Sequence, residues 1–172
     1  MRLLGAILAG GQSRRFGSDK AHALLDGKRL IDHVADALAK QCEAVVFCGR
    51  DEPGLASIPD QPEGGHGPLA GLNAALLHAQ ANGFDQVLSS GCDIPNLPPD
   101  LAAQLDGEGA AYAADQPVVG LWPASLQPLL GSYLCGGGRA LFGFADLAGA
   151  RAVAVAPPLA NINTPQDLPR AG

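Results

Sequence analysis

The sequence predicts an α/β protein whose mostly parallel sheet is covered by helices on both faces. Three observations predict it. Short, continuous apolar runs end at glycines or polar turns, as strands buried on both faces do. Segments of helical periodicity lie between them, the alternation that builds βαβ units. The composition is 47% hydrophobic but only 5% aromatic, with 23 glycines. A core of Leu, Ala and Val with close backbone contacts suits such a fold better than a β-sandwich. No internal repeat and no dividing linker interrupts the chain, so residues 1–172 are read as one domain.

The elements follow in order. Residues 3–8 (LLGAIL) form a buried strand that stops at a glycine pair, and residues 9–19 form a loop with two arginines. Residues 29–40 place Leu30, Val34, Ala37 and Leu38 on one helical face and charges on the other. Residues 44–48 (AVVFC) form a second strand, and the Pro- and Gly-rich stretch 51–68 holds a short strand before Pro59. Residues 69–82 are a helix stopped by Gly83, and residues 86–90 are a third strand running into Gly91-Cys92-Asp93. A helix begins over 101–105. Residues 110–114 and 118–121 read as strands joined around Gln116-Pro117. Residues 125–134 are helical, the glycines at 136–138 break that helix, and 139–147 resume it. A late strand covers 151–155, and a short helix over 164–168 has Thr164 as N-cap and Pro165 at its first position.

Charge and cysteine content exclude several classes. The net charge is −6 and no Lys/Arg-rich run occurs, so no nucleic-acid surface is expected. The apolar segments are too short to span a membrane. No secretory n-region and h-region precede the first strand. Cys42, Cys48, Cys92 and Cys135 form no CxxC pair, which argues against structural zinc. They read as core thiols in a reducing cytoplasm.

In an open α/β sheet, ligands bind outside the carboxyl ends of the strands. That rule singles out the loop after Leu8, the segment after Cys48 and the turn at Asp93. The first carries Leu8-Ala9-Gly10-Gly11-Gln12-Ser13-Arg14-Arg15-Phe16-Gly17, with Lys20 beyond. Glycines after a buried strand let backbone N–H groups approach a phosphate, and the three cations can neutralise a polyphosphate. The loop has neither the G-x-G-x-x-G spacing nor a Lys placed as in G-x-x-x-x-G-K-S/T. Asp93 follows a strand and precedes Ile94-Pro95. It reads equally well as a Mg²⁺ carboxylate or as a turn aspartate capping local backbone. Gly64-Gly65-His66-Gly67-Pro68-Leu69-Ala70-Gly71 runs into a helix and is either an anion or base dock or a flexible loop. Asn161 and Asn163 share a face if extended, and otherwise form an Asx-type turn.

These stretches resemble the molybdenum cofactor guanylyltransferases, within the nucleotidyltransferase superfamily. The resemblance rests on Leu8-Ala9-Gly10-Gly11 with Arg14-Arg15-x-Gly17 and Asp19-Lys20, then Gly67-Pro68-Leu69-Ala70-Gly71, Cys92-Asp93-Ile94-Pro95, Gln116-Pro117 and Asn161-Ile162-Asn163-Thr164-Pro165. Their order and spacing cover almost the whole chain. The LAGG loop marks only the superfamily; its combination with GPLAG and NINTP is far more specific.

The resemblance implies a Rossmann-like three-layer fold of the nucleotidyltransferase type. It implies that Leu8, Ala9, Gly10 and Gly11 hold GTP, that Lys20 contacts its phosphates and that Asp60 lies on the nucleotide side. Asp93 would contact the nucleotide and bind Mg²⁺, with Arg15, Lys20 and Asp93 as the catalytic set. Asn161 and Asn163 would face the molybdopterin cofactor. Partners would be GTP, the molybdopterin cofactor, and molybdoenzyme apoproteins or their chaperones. The family's asparagine at the end of the second strand has no counterpart in Cys48-Gly49-Arg50. The expected reaction transfers GMP from GTP to the cofactor and releases pyrophosphate. The alternatives are the same transfer from CTP, or a non-catalytic nucleotide- or cofactor-binding module.

Overall fold

In the computed structural model of the chain, the described residues are 2–8, 24–49, 56–59 and 68–159. The apolar run at the start forms strand β1 (Leu3–Leu8) at the middle of the sheet. It is paired in parallel with β4 (Ala44–Cys48) on one side and β6 (Gln86–Gly91) on the other. A strand flanked on both sides and covered on both faces meets no water, which is why its sequence is apolar without alternation. Leu4, Ala6 and Leu8 point into one core cluster and Ile7 into the other.

Between β1 and β4 come a small hairpin, β2 (Leu24–Leu25) and β3 (Lys28–Arg29), and helix α1 (Leu30–Ala39). The hairpin is absent from the expectations above, although its signal is in the sequence. Asp26-Gly27 is a two-residue loop with φ 55° and 77°, the pair of left-handed conformations that a type I′ turn requires. His33 on α1 donates from Nε2 to the Leu25 carbonyl at 2.8 Å, fastening hairpin to helix. Arg29 Nε donates to Asp32 at 2.8 Å, and this hydrogen bond holds the Asp32 carboxyl below its usual range.

Strand β5 (Ala56–Ile58) extends the sheet beyond β4, as expected before Pro59. Helix α2 (Pro68–Ala81) begins at a proline, and Gly83, at φ 78°, follows its end. Nine of its residues are buried, from Leu69 to Ala79. A helix buried nearly all round needs no polar stripe. The short helix α3 (Leu101–Leu105) then leads to β7 (Ala111–Ala113) and β8 (Gln116–Pro123). Behind β8 follow a 3-10 turn (Ala124–Leu126), α4 (Gln127–Cys135), α5 (Leu141–Ala148) and β9 (Arg151–Val153).

The seven-stranded sheet has the order β5-β4-β1-β6-β8-β7-β9. Only β8 runs against the others, so the sheet is mostly parallel as the sequence predicts. One face is covered by α2, α4 and α5, the other by α1 and α3.

Several boundaries differ from the sequence reading, among them the late strand, which ends at Val153 rather than at 155, and two have a clear physical cause. Gln116-Pro117 lies inside β8, and the turn is Ala114-Asp115. The register jumps from Tyr112↔Gly120 to Ala113↔Gln116, leaving Pro117 in a bulge where its missing N–H costs no ladder bond. Arg139 does not join α5, which starts at Leu141. Its guanidinium donates to the Leu134 carbonyl at 3.2 Å, which also accepts from the Gly137 amide at 3.1 Å in the last turn of α4. The short helix expected over 164–168 lies outside the described residues.

Candidate functional site

The register of the parallel strands places four chain exits in one row. Leu8 is the partner of Cys48 on one side and of Gly91 on the other, and Cys48 is the partner of Ile58. Ile58, Cys48, Leu8 and Gly91 therefore line the carboxyl edge, each about 4.8 Å from its neighbour as adjacent strands are. The Gly49 amide donates to the Ile58 carbonyl at 2.9 Å and closes the β4–β5 end of that row. From β1 the chain crosses to β4 on one side; β6, reached through α2, adjoins β1 on the other side. The exits of β1 and β6 thus flank the switch point of the sheet, the place where open α/β sheets bind ligands.

Of the predicted site residues, Leu8 and Asp93 fall within the described part of the chain. Leu8 is the last residue of β1 and is buried. Ala9, Gly10, Gly11, Arg15, Lys20, Asp60, Asn161 and Asn163 lie outside the described residues. The row nevertheless sets where the segments carrying several of them leave or approach the sheet. The glycine loop begins one residue after Leu8, and Asp60 follows Ile58 by two residues in sequence.

Asp93 sits in the turn directly after β6 and is half-buried. Its neighbours hold it there. Cys92 and Ile94 are 8% and 0% exposed and pack into the cluster beneath α1, together with Leu97. Burying Ile94 and Leu97 contributes roughly 1.5–3 kcal/mol each, enough to fix the turn that carries the carboxylate. A Cβ built on Gly91 would stand 2.9 Å from Asp93 Oδ1. The carboxylate therefore lies back against the end of β6, over a residue with no side chain. The sequence names Gly91 only as part of the turn after the third strand; the signal for more was a glycine two residues before a strand-end aspartate.

Those features fit a hard divalent cation. A carboxylate in a turn fixed by buried neighbours at a strand end is a placed oxygen donor. Among the described residues, no group of three or more His, Cys, Asp or Glu is arranged to hold a metal. Mg²⁺ commonly uses one or two carboxylates and takes its other ligands from substrate phosphates and water, so Asp93 suits it.

The segment that leads toward Asn161 is tied to the region after Asp93. Asn96 Nδ2 donates to the Pro158 carbonyl at 3.1 Å, and Gln104 exchanges two hydrogen bonds with the Ala156 backbone, at 2.7 and 2.9 Å. A separate cleft of about 430 Å³ opens between α1 and the Pro95–Leu97 stretch, lined by Lys28, His33, Asp36 and Lys40 among others. Two of its charged groups, Lys28 and Asp36, pair with each other.

The cysteines divide more sharply than expected. Cys48 and Cys92 are core thiols, Cys42 is partly buried, and Cys135 is exposed. Cys135 departs from the core reading because it ends α4, outside the face that packs on the sheet. Burial pushes the Cys42 thiol up to about 12, so it is protonated at neutral pH and is no nucleophile. Iodoacetamide on the folded protein at pH 8 is expected to alkylate Cys135 first and to leave Cys42 unmodified, which peptide mass spectrometry reads directly. The raised Cys42 value also has a definite sign in stability. Its contribution is complete below pH 9, the unfolded value, and is lost as pH rises toward 12.

Comparison with known proteins agrees with this geometry. The family model of the MobA-like NTP transferase domain matches residues 5–154. A molybdenum cofactor guanylyltransferase from Rhodobacter capsulatus is 40% identical, over 99% of this chain and 95% of its own. One from Cereibacter sphaeroides is 38% identical, over 99% and 96%. Among solved structures, molybdopterin-guanine dinucleotide biosynthesis protein A from Archaeoglobus fulgidus superposes with a TM-score of 0.78 at 26% identity, covering 99% of this chain and 96% of that one. The matched region runs from β1 to β9 and so contains the whole row of strand ends: the chain belongs to the MobA-like NTP transferase domain family.

Proposed function

We propose that the chain transfers GMP from GTP to the molybdopterin cofactor, forming the guanine dinucleotide cofactor and pyrophosphate. The observation that carries this reading is the pairing of Leu8 with Gly91. It brings the exit into the glycine loop and the exit into the Asp93 turn side by side at the switch point. A nucleoside triphosphate laid across that edge would meet the glycine loop on one side and the Asp93 carboxylate on the other. Relatives 38–40% identical along nearly the whole chain carry the name of this activity.

The chemistry is a direct displacement. An oxygen of the cofactor's terminal phosphate attacks the α-phosphorus of GTP. A new P–O–P link forms, the bond from the α-phosphorus to the β-phosphate bridge oxygen breaks, and that oxygen departs with pyrophosphate. The attacking group is already an anion, so no strong general base is needed. Positioning and charge neutralisation supply the rate. The backbone amides of Ala9, Gly10 and Gly11 would hold the triphosphate, with Leu8 setting the start of the loop. Arg15 and Lys20 would offset charge on the α-phosphate and the leaving group. Asp60 would serve the nucleotide side, and Asn161 and Asn163 the pterin. Mg²⁺ held at Asp93 would screen the phosphates during transfer.

One sheet running from β5 to β9 supports reading residues 1–172 as a single domain. Among the described residues no helix is long and apolar enough to cross a membrane. Four cysteines without a disulfide suit a cytoplasmic enzyme. Molybdoenzyme apoproteins or their chaperones are the natural recipients of its product.

The test is pyrophosphate release by the purified protein with Mg²⁺ and molybdopterin cofactor, with GTP and CTP offered in parallel. Release with GTP alone is the expected result. Release with CTP alone overturns the choice of base, and release with neither overturns the transferase reading.

A further inference from the structure

We infer that Gly91 is a positioning residue for the Asp93 carboxylate, acting through the side chain it lacks. This rests on the reading of Asp93 as the carboxylate that serves metal and nucleotide. The Cβ of any other residue at 91 would come within 2.9 Å of Asp93 Oδ1, closer than real Cβ contacts. Its next neighbour would be Val118 Cγ1 at 3.6 Å, an ordinary van der Waals distance. The collision is therefore confined to one atom, the end of a short side chain.

That distribution decides what a substitution does. The backbone at 91 is an extended strand end in register with Leu8, and Gly91 has no positive φ that an alanine would strain. Helices and sheet need not move to accept a methyl group, because the Asp93 carboxylate can turn away from it. Turning away moves the oxygen from its place over Gly91. The cost falls on ligand placement and not on the fold. A misplacement on the order of 1 Å at a reacting centre can cost about 10²-fold. Serine or alanine would serve equally well as a strand-end residue, so the bare Cα is needed for the carboxylate and not for the sheet.

The experiment compares Gly91→Ala, Asp93→Ala and the double variant with the parent. Mn²⁺ binding in the presence of GTP is followed by electron paramagnetic resonance, melting temperature by circular dichroism, and turnover by pyrophosphate release. Gly91→Ala is expected to melt within a few degrees of the parent, to bind Mn²⁺ about tenfold more weakly or worse, and to lose turnover in step. Adding Gly91→Ala to Asp93→Ala should change none of these further, since the atom it displaces is gone. Unchanged Mn²⁺ affinity in Gly91→Ala, with affinity lost in Asp93→Ala, overturns the inference and leaves the reading of Asp93 intact. Full Mn²⁺ affinity and turnover in Asp93→Ala overturns that reading and the inference with it. If Gly91→Ala melts far lower, relief of the loss in the double variant supports the inference, and persistence overturns it.

Discussion

Replacing Asp93 with alanine is expected to lower the turnover of GMP transfer by a factor on the order of 10²–10³, with the protein still folded. A preorganised electrostatic group aimed at developing charge is typically worth that much, about 2.7–4 kcal/mol of barrier. The fold should survive because the neighbours Cys92 and Ile94, at 8% and 0% exposed, still anchor the turn. Asp93→Asn separates charge from shape. The amide keeps the volume but is a poor ligand for Mg²⁺, so its turnover should fall nearly as far, with part of the loss recovered at high Mg²⁺. Steady-state pyrophosphate release across a Mg²⁺ titration measures both variants. Turnover within twofold of the parent for Asp93→Ala would sink the assignment of the metal to this residue.

The second large effect is on stability. Trp122→Ala is expected to cost roughly 3–5 kcal/mol, the range for truncating a large buried aromatic residue. Trp122 is fully buried on β8, opposite Val87 of β6, and its ring packs against Phe144 of α5 at a centroid distance of 5.6 Å. Its Nε1 donates to Ser89 Oγ at 3.0 Å, and that hydroxyl donates onward to the Val118 carbonyl at 2.7 Å. The side chain thus joins the parallel half of the sheet to the one reversed strand and to the helix above it. Trp122→Phe retains most of the apolar contact and loses the hydrogen bond, so its cost should be well below that of alanine. Urea unfolding followed by circular dichroism gives both values. The parent's single tryptophan, this residue, also reports unfolding by fluorescence. A cost under about 1 kcal/mol for Trp122→Ala would mean that β8 and α5 dock independently of this side chain.

Much of the architecture is legible from residue patterns because the physics behind it is local. The strands Leu3–Leu8 and Ala44–Cys48 stand out as apolar runs bounded by breakers, since strands buried on both faces have no polar side to display. Helix α1 declares itself through its one apolar face, and α2 through a proline at one end and Gly83 just past the other. The family is equally legible, because the LAGG, GPLAG, CDIP and NINTP stretches occur in order along one chain. Of the residues those motifs name, Leu8 and Asp93 are found at neighbouring strand exits, where the carboxyl-edge rule expects them.

Relations between residues distant in sequence, or folded back on themselves, come only from the packed fold. No local pattern tells that β8 is reversed, because direction depends on which neighbours a strand pairs with. Pro117 looks like a turn residue until the register jump between β7 and β8 gives it a place without a hydrogen bond to make. Arg139 fits a helical pattern, but its guanidinium turns back to the Leu134 carbonyl at the end of α4. The row Ile58, Cys48, Leu8 and Gly91 exists only once three pairings share one register. Residue patterns name the candidates for the chemistry, because residue type sets charge, donor set and backbone freedom. The tertiary structure decided where Asp93 points its oxygen, because that depends on the empty space above Gly91, and empty space belongs to packing rather than to any one residue.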